Sequence, residues 1–228
     1  MNTIRVYKFR CLKYGLQSLN QQRLKVATLT DLNDPFELCA VDLREKGFRK
    51  NHKTELKKLS KIRGFVSFSK NWSNPVLWAH YADSQKGLCI GFDVPEEHIF
   101  EMQYSNERVK RETIAEKLAK TDVTTNDVRE LFAKSTHWAY EEEFRIWYDL
   151  NTLKHEKESG LYFSTFSENL KPVEVIVGPA CDVESNVIEK ALARCKHSIS
   201  IRQARPAFKS FDIIEDRRGF IGTKKATN

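Results

Sequence analysis

The stretch HWAYEEEFRIWYDL, His137 to Leu150, sets three consecutive carboxylates among five aromatic residues. Charged triplets ordinarily lie on solvated faces, whereas Trp and Tyr at this density ordinarily lie in a core or a pocket. Extended backbone over 141–147 alternates its side chains. Glu141, Glu143 and Arg145 then share one face, and Glu142, Phe144 and Ile146 the other. The apolar pair would be buried, with the acidic pair looking into a pocket across the sheet. The alternative is a helix end running into an edge strand with hydrated charges. Two carboxylates side by side on a strand repel, so the pocket is the reading taken forward.

Outward from this stretch, two helices are expected near 106–120 and 126–138. Strands at 143–149, 161–166 and 173–177 follow, then a helix at 184–196 opened by Asp182 or Ser185, then strands near 198–202 and 210–214. Towards the N-terminus, IRVYKF (4–9) alternates as a strand, YGLQSLNQQ (14–22) suits a short helix and RLKVATL (23–29) a second strand. A loop at TDLNDPFE, a helix over 48–63 and a strand at GFVSFS (64–69) come next. SNPVLWAHYADSQKG specifies a short helix, with Ser73 or Asn74 as N-cap, Pro75 in the first turn and Gly87 as the stop. GLCIGFD (87–93) is a nearly continuous apolar run, as a buried strand would be. Strands and helices intermingle without a βαβ rhythm. The fold class expected is therefore α+β, a single domain over 1–215 with a basic C-terminal tail over 216–228.

Bulk composition agrees with a globular chain: 228 residues, 40% hydrophobic and 30% charged. No apolar run reaches membrane-span length, and MNTIRVYKFR is charged at once, with no signal-peptide core. The five cysteines (Cys11, Cys39, Cys89, Cys181, Cys195) form no CxxC pair. Together these features predict a reduced, cytoplasmic setting without a membrane partner. The histidines do not join the cysteines at zinc-like spacing, so no metal site is expected from them. A net charge of +7 leans towards polyanions, either nucleic acid or a phosphate-bearing small molecule. Most of the excess lies in FRKNHKTELKKLSKIRG (48–64) and DRRGFIGTKKATN (216–228), where a solvated helix and a loose tail explain it equally well.

Smaller groupings carry chemistry. Lys8 and Arg10 share a strand face, and such a pair suits phosphate. Ser67 and Ser69 share another, opposite Val66 and Phe68, and either hold a polar ligand or mark an exposed face. On the short helix, Trp78, His80 and Tyr81 lie together, with Asp83 in reach of His80 as a structural partner. Asp34 and Glu37 in LNDPFE either cap a turn or, with Glu141 and Glu143, serve as oxygen ligands of a metal-dependent nuclease. There is no nucleophile elbow, P-loop or GxGxxG.

Taken in order, YKFR, LNDPFE, GFVSFS, LWAHYADSQKGLCIGFD, WAYEEEFR and VEVIVGP resemble a large bacterial family of domains of unknown function, over about residues 5–180. That family is marked by NDPFE, WxHYA, GFD and YExExR signatures. Its members often lie near mobile elements and defence genes, which implies a toxin or defence setting with an antitoxin or defence partner. A basic residue on the first strand, a later Ser-x-Ser strand and a Glu-x-Glu strand are also similar in order to ADP-ribosyltransferases of the Arg-Ser-Glu type. That resemblance implies a mixed split β-sheet or sandwich with flanking helices, and NAD as substrate. It assigns NAD phosphates to Lys8 or Arg10, and the nicotinamide-ribose pocket to Ser67 and Ser69; Trp78, His80 and Tyr81 are expected beside them as further NAD-binding residues. Glu143 would be catalytic, and Glu141 would position or activate a protein or nucleic-acid acceptor, or water. This chain reads Phe-Ser after Ser67, where the type has Thr-Ser. The other readings are the nuclease and a non-catalytic module that senses a nucleotide or a partner.

Overall fold

The computed structural model describes residues 2–29, 31, 32, 34, 36, 40–110, 112, 133–219 and 221–224. β1 (Thr3–Arg10) runs into α1 (Leu12–Gln21), and a left-handed Gln22 turns the chain into β2 (Arg23–Thr28). α2 (Lys46–Leu59) and β3 (Arg63–Ser69) follow. α3 (Pro75–Tyr81) begins with the Asn74 side chain accepting from Val76 N at 2.9 Å. This cap satisfies a donor that the first helical turn leaves open. β4 (Leu88–Pro95), β5 (Phe100–Glu101), β6 (Tyr104–Ser105) and β7 (Lys134–Ser135) lead to a 3-10 segment over Thr136–Glu141. β8 (Glu143–Asp149), β9 (Lys154–Glu156), β10 (Leu161–Thr165) and β11 (Lys171–Val177) come next. α4 (Ser185–Ala191), β12 (Ile199–Pro206), β13 (Ile213–Glu215) and β14 (Ile221–Lys224) close the described chain.

The architecture is α+β, as the intermingled pattern predicts. Several boundaries differ from expectation. α4 stops at Ala191 rather than near 196, and its cap is Glu184. Most of the helices expected near 106–120 and 126–138 lies outside the described residues. Within them, Val109 bridges Val41, and 133–138 holds β7 and the start of the 3-10 segment. Of the segment read as a tail, residues 221–224 form β14 against β12, with Gly222 opposite Ile201. The four described cysteines are free thiols. Among the described residues, no helix is long and apolar enough to cross a membrane.

Twelve of the described strands join one mixed sheet. The sheet branches at β12 and again at β3, which has three neighbours. One edge pairs with β8 throughout, from Arg63 opposite Asp149 to Ser69 opposite Glu143. The other edge is shared: β2 takes its beginning, with Ala27 opposite Phe65, and β1 takes its end, with Tyr7 opposite Ser69. Between these contacts the sheet forks. β1 leads into β4, β11 and β12, while β2 leads into β10 and β9. The two leaves turn their inner faces to one core. Val6, Ile90, Phe92 and Val175 meet Leu24, Val66, Phe68, Phe144 and Ile146, closed by Leu19 of α1 and Ile188 of α4. On the outer face, α3 covers Phe9, Cys89, Ile176 and Ala204 with Leu77 and Trp78.

Two glycines are required by close approach. A Cβ on Gly87 would meet the Arg10 carbonyl oxygen at 2.1 Å, so this residue serves a backbone crossing and not the helix end, which falls at Tyr81. A Cβ on Gly91 would meet Glu174 Cγ at 2.5 Å. Glu174, 2% exposed, lies across β4 to reach Arg5 at 2.7 Å, the Tyr7 hydroxyl at 3.3 Å and Arg202 at 3.5 Å. Gly91→Ala should push the carboxylate off its cations and lower stability by roughly 2 kcal/mol in urea unfolding. An unchanged midpoint would show that Glu174 does not need this space.

Candidate functional site

Where β1 and β2 part along β3, a cleft of about 120 Å³ opens on the outer face. β1 contributes Tyr7, Lys8 and Phe9, β3 contributes Ser67 and Ser69, and α3 contributes Leu77 and Tyr81. Lys134, Glu141, Glu143 and Arg145 form the remaining charged wall. At the fork, the Ser67 carbonyl has Lys8 in place of a strand. The Lys8 ammonium donates to that oxygen at 2.6 Å and to the Ser67 hydroxyl at 3.2 Å. A buried carbonyl needs such a partner. Its neighbour Ser69 is spoken for: the hydroxyl donates to Asn71 O at 2.9 Å and accepts from Asn71 N at 3.2 Å, closing the turn after β3.

The acidic pair is assembled differently from a continuous strand. Glu141 ends the 3-10 segment, Glu142 turns the chain at a left-handed φ of 42°, and β8 starts only at Glu143. Both carboxylates still converge on Lys134, whose ammonium donates to Glu141 Oε2 at 2.6 Å and Glu143 Oε2 at 2.9 Å. Arg145 holds Glu143 in a fork, Nε to Oε1 at 2.6 Å and Nη2 to Oε2 at 3.0 Å, and the Tyr81 hydroxyl donates to Glu141 Oε1. All four charged residues are buried. Phe144 and Ile146 point into the core, so the expected division of faces along β8 holds from Glu143 onwards.

Burial pushes the Glu143 carboxyl up, but Arg145 and then Lys134 outweigh it and hold it below the ordinary range. Its contribution to stability is therefore present above the ordinary carboxylate range and lost as pH falls through the lowered value. Tyr104, whose oxygen accepts from Glu143 N at 2.8 Å, is pushed up to about 12, first by burial. Lys8 moves the other way. Its side chain is half-buried with the ammonium enclosed, and burial followed by the nearby Arg10 lowers it from 10.5 to about 7, against the pull of Glu143 and Glu141.

Of the residues expected at the site, Lys8, Ser67, Ser69, Tyr81, Glu141 and Glu143 line the cleft. Arg10, Trp78 and His80 do not. Arg10 sits behind Lys8, and its buried Nε has no hydrogen-bond acceptor among the described residues. Trp78 is a core residue, edge-on to Phe9 at 5.1 Å, with Nε1 donating to Trp72 O at 2.6 Å. His80 is exposed, 3.2 Å from the Tyr140 hydroxyl rather than paired with Asp83. Asp34 is buried outside the cleft and accepts from Phe36 N at 2.8 Å, while Glu37 lies outside the described residues. Among the described residues, no three His, Cys, Asp or Glu side chains gather as metal ligands.

Lys134, which bonds both carboxylates in the cleft, was missed by sequence reasoning. Nothing in FAKSTHW points it inward, and lysines are usually on the surface. The usable signal was electrostatic: two buried carboxylates demand a cation nearby. Lys134 also lines a second hollow of about 190 Å³ with Phe36, Arg108 and Ser135.

Lys134→Met leaves two buried carboxylates with Arg145 as their remaining cation. A loss of about 3–5 kcal/mol at neutral pH is expected. Equal urea midpoints for variant and parent would contradict the clamp. For Lys8 the sign is reversed relative to a paired cation. Between about 7 and 10.5 the unfolded chain holds a proton that the folded chain has released, so stability rises with pH across that window. Lys8→Met should flatten the rise, and NMR titration of the Lys8 side chain should give a midpoint near 7. A midpoint at the ordinary lysine value would refute the assignment.

Residues 77–146 match the family model described as "Protein of unknown function (DUF2971)". No curated protein and no solved structure matches the chain. The matched stretch runs from α3 into β8 and carries Tyr81, Lys134, Glu141, Glu143 and Arg145. Over the segment that builds the charged wall of the cleft, the chain is thus similar to a family of domains of unknown function.

Proposed function

We propose that the protein is an NAD-consuming, ADP-ribosyltransferase-like enzyme that passes ADP-ribose to a protein or nucleic-acid acceptor, or to water. The observation that supports this reading is the meeting of Lys8, Ser67, Glu141 and Glu143, from three distant segments, around one cleft. Cleavage breaks the bond between ribose C1 and the nicotinamide nitrogen. The bonding electron pair leaves with the ring, which is cationic in NAD and departs neutral, so no general acid is required. Positive charge then builds on the ribose, as in glycoside hydrolysis. Glu143 is kept ionised and immobile by Arg145 and Lys134, so it can meet that charge without reorganising. The acceptor's nucleophilic atom bonds to C1 and loses its proton to Glu141, which Tyr81 and Lys134 orient.

Size limits what the cleft admits. Pockets for whole drug-sized ligands run about 300–1,000 Å³, so 120 Å³ suits the reacting end of the dinucleotide alone. The hollow on Lys134, with Arg108, would take part of the remainder. Lys8, with Arg10 behind it, supplies cationic character for the pyrophosphate, and an anion bound there would itself favour protonated Lys8. The nuclease reading has less support, because Asp34 lies outside the cleft and, among the described residues, no three His, Cys, Asp or Glu side chains gather as metal ligands. A cytoplasmic setting and a toxin or defence role with an inhibitory partner belong to the same proposal.

Chromatographic detection of nicotinamide tests the idea. The parent protein should release it from NAD, and Glu143→Gln should lower turnover on the order of 10²–10³-fold while NAD binding by calorimetry persists. Glu141→Gln should depress transfer more than hydrolysis. Binding without release would favour the sensing module, and neither binding nor release with any acceptor supplied would end the proposal.

A further inference from the structure

β12 and β13 are joined by the hairpin loop AFKSFD, Ala207 to Asp212, which Ala207 N closes on Asp212 O at 2.9 Å. Its base is fixed. Ile213 is 3% exposed in the cluster beneath α3, and its N–H donates to Ser73 O at 2.8 Å. Yet Phe208 is 83% and Phe211 98% exposed, the most exposed large apolar side chains among the described residues. Burying a phenylalanine contributes about 1.5–3 kcal/mol, so a well-anchored hairpin that displays two of them forgoes considerable stability. Cations interleave with the rings. The Arg205 guanidinium lies over Phe208 at 4.4 Å from its centroid, and exposed Lys209 stands between the two phenylalanines. Exposed Arg217 and Arg218 follow, lining a hollow of about 340 Å³ with Arg205. Acids temper this charge: Asp216 is 3.9 Å from Arg205, Glu215 is 3.5 Å from Arg202, and Asp212 is exposed. Lys209, Arg217 and Arg218 have no carboxylate side-chain partner among the described residues.

We propose that this hairpin docks single-stranded nucleic acid, with bases stacked on Phe208 and Phe211 and phosphates met by Lys209, Arg217 and Arg218. Every base has a π-face, so ordered exposed rings with neighbouring cations form a sequence-tolerant platform. A lipid surface fits less well, because exposed Lys209 and Asp212 directly follow Phe208 and Phe211 in the loop, and burying the rings in an acyl boundary would draw these charges towards it. The chain's net charge of +7 favours the same polyanion. The hairpin is tied to Ser73, at the start of the helix whose last residue, Tyr81, lines the cleft. A docked strand would therefore lie on the face that carries the cleft. This surface stands independently of NAD chemistry; if both hold, the acceptor is nucleic acid.

Fluorescence anisotropy with labelled oligo(dT) and oligo(U) of about twelve nucleotides tests the platform. The parent should bind, with affinity falling steeply as salt rises. Phe208→Ser with Phe211→Ser should weaken binding about tenfold or more at an unchanged salt slope. Lys209→Ala with Arg217→Ala and Arg218→Ala should instead flatten the slope. Unfolding midpoints should match the parent in both variants. No oligonucleotide binding by the parent, or equal binding by the phenylalanine variant, would overturn the proposal. So would a phenylalanine variant that loses sedimentation with anionic vesicles, or loses self-association, while keeping its oligonucleotide affinity. Nicotinamide release is read separately, so the two proposals fail independently.

Discussion

One backbone carbonyl sets the position of everything at the site. The edge of β3 is claimed by β2 at its start and by β1 at its end, and between them the Ser67 oxygen faces no strand. Lys8 fills the vacancy with an ammonium in place of an amide. The same substitution brings a cation into a fork of the sheet, enclosed by side chains and close to Arg10. Because hydration is lost and a like charge is near, that ammonium gives up its proton near neutrality. The break in the ladder thus creates both the cleft and the unusual amine inside it.

Opposite the fork stands a buried set of two acids and two bases. Isolated burial of a carboxylate costs several kcal/mol, and the four charges are tolerable only as a bonded group. Lys134 bridges the two acids, Arg145 grips one of them with two hydrogen bonds, and Tyr81 steadies the other. The group therefore has little freedom to relax around a ligand. A ligand entering the cleft meets dipoles and ions already in place, unlike one approaching a hydrated acidic patch.

Much of this was legible in the sequence where local rules decide the outcome. The alternation in IRVYKF and GFVSFS fixed which side chains share a face, and Asn74 with Pro75 marked the helix start. That Lys8, Ser67, Ser69, Tyr81, Glu141 and Glu143 line one cleft was partly legible, because alternation and aromatic clustering carry directional information. What escaped depends on tertiary register. The fork in β3 cannot be seen from any one strand, and without it Lys8 and Arg10 look equivalent. α3 has only seven residues, and its rotation sends Trp78 to the core, His80 to solvent and Tyr81 to the cleft, so grouping all three was too coarse. The 3-10 turn through WAYE was hidden because its mix of aromatic, small and acidic residues has no single periodicity.

The charged quartet has a kinetic side. Lys134, Glu141, Glu143 and Arg145 all come from one stretch of twelve residues, with Lys134 only seven and nine positions from its acids. Lys8 and Ser67 are fifty-nine positions apart. Loop-closure entropy grows as the logarithm of the span, so bringing the latter pair together costs roughly 1.5 kcal/mol more than closing the former. The acidic half of the pocket is a local event and the amine half a topological one, so the collapsing chain can hold its anions ready before β1 arrives.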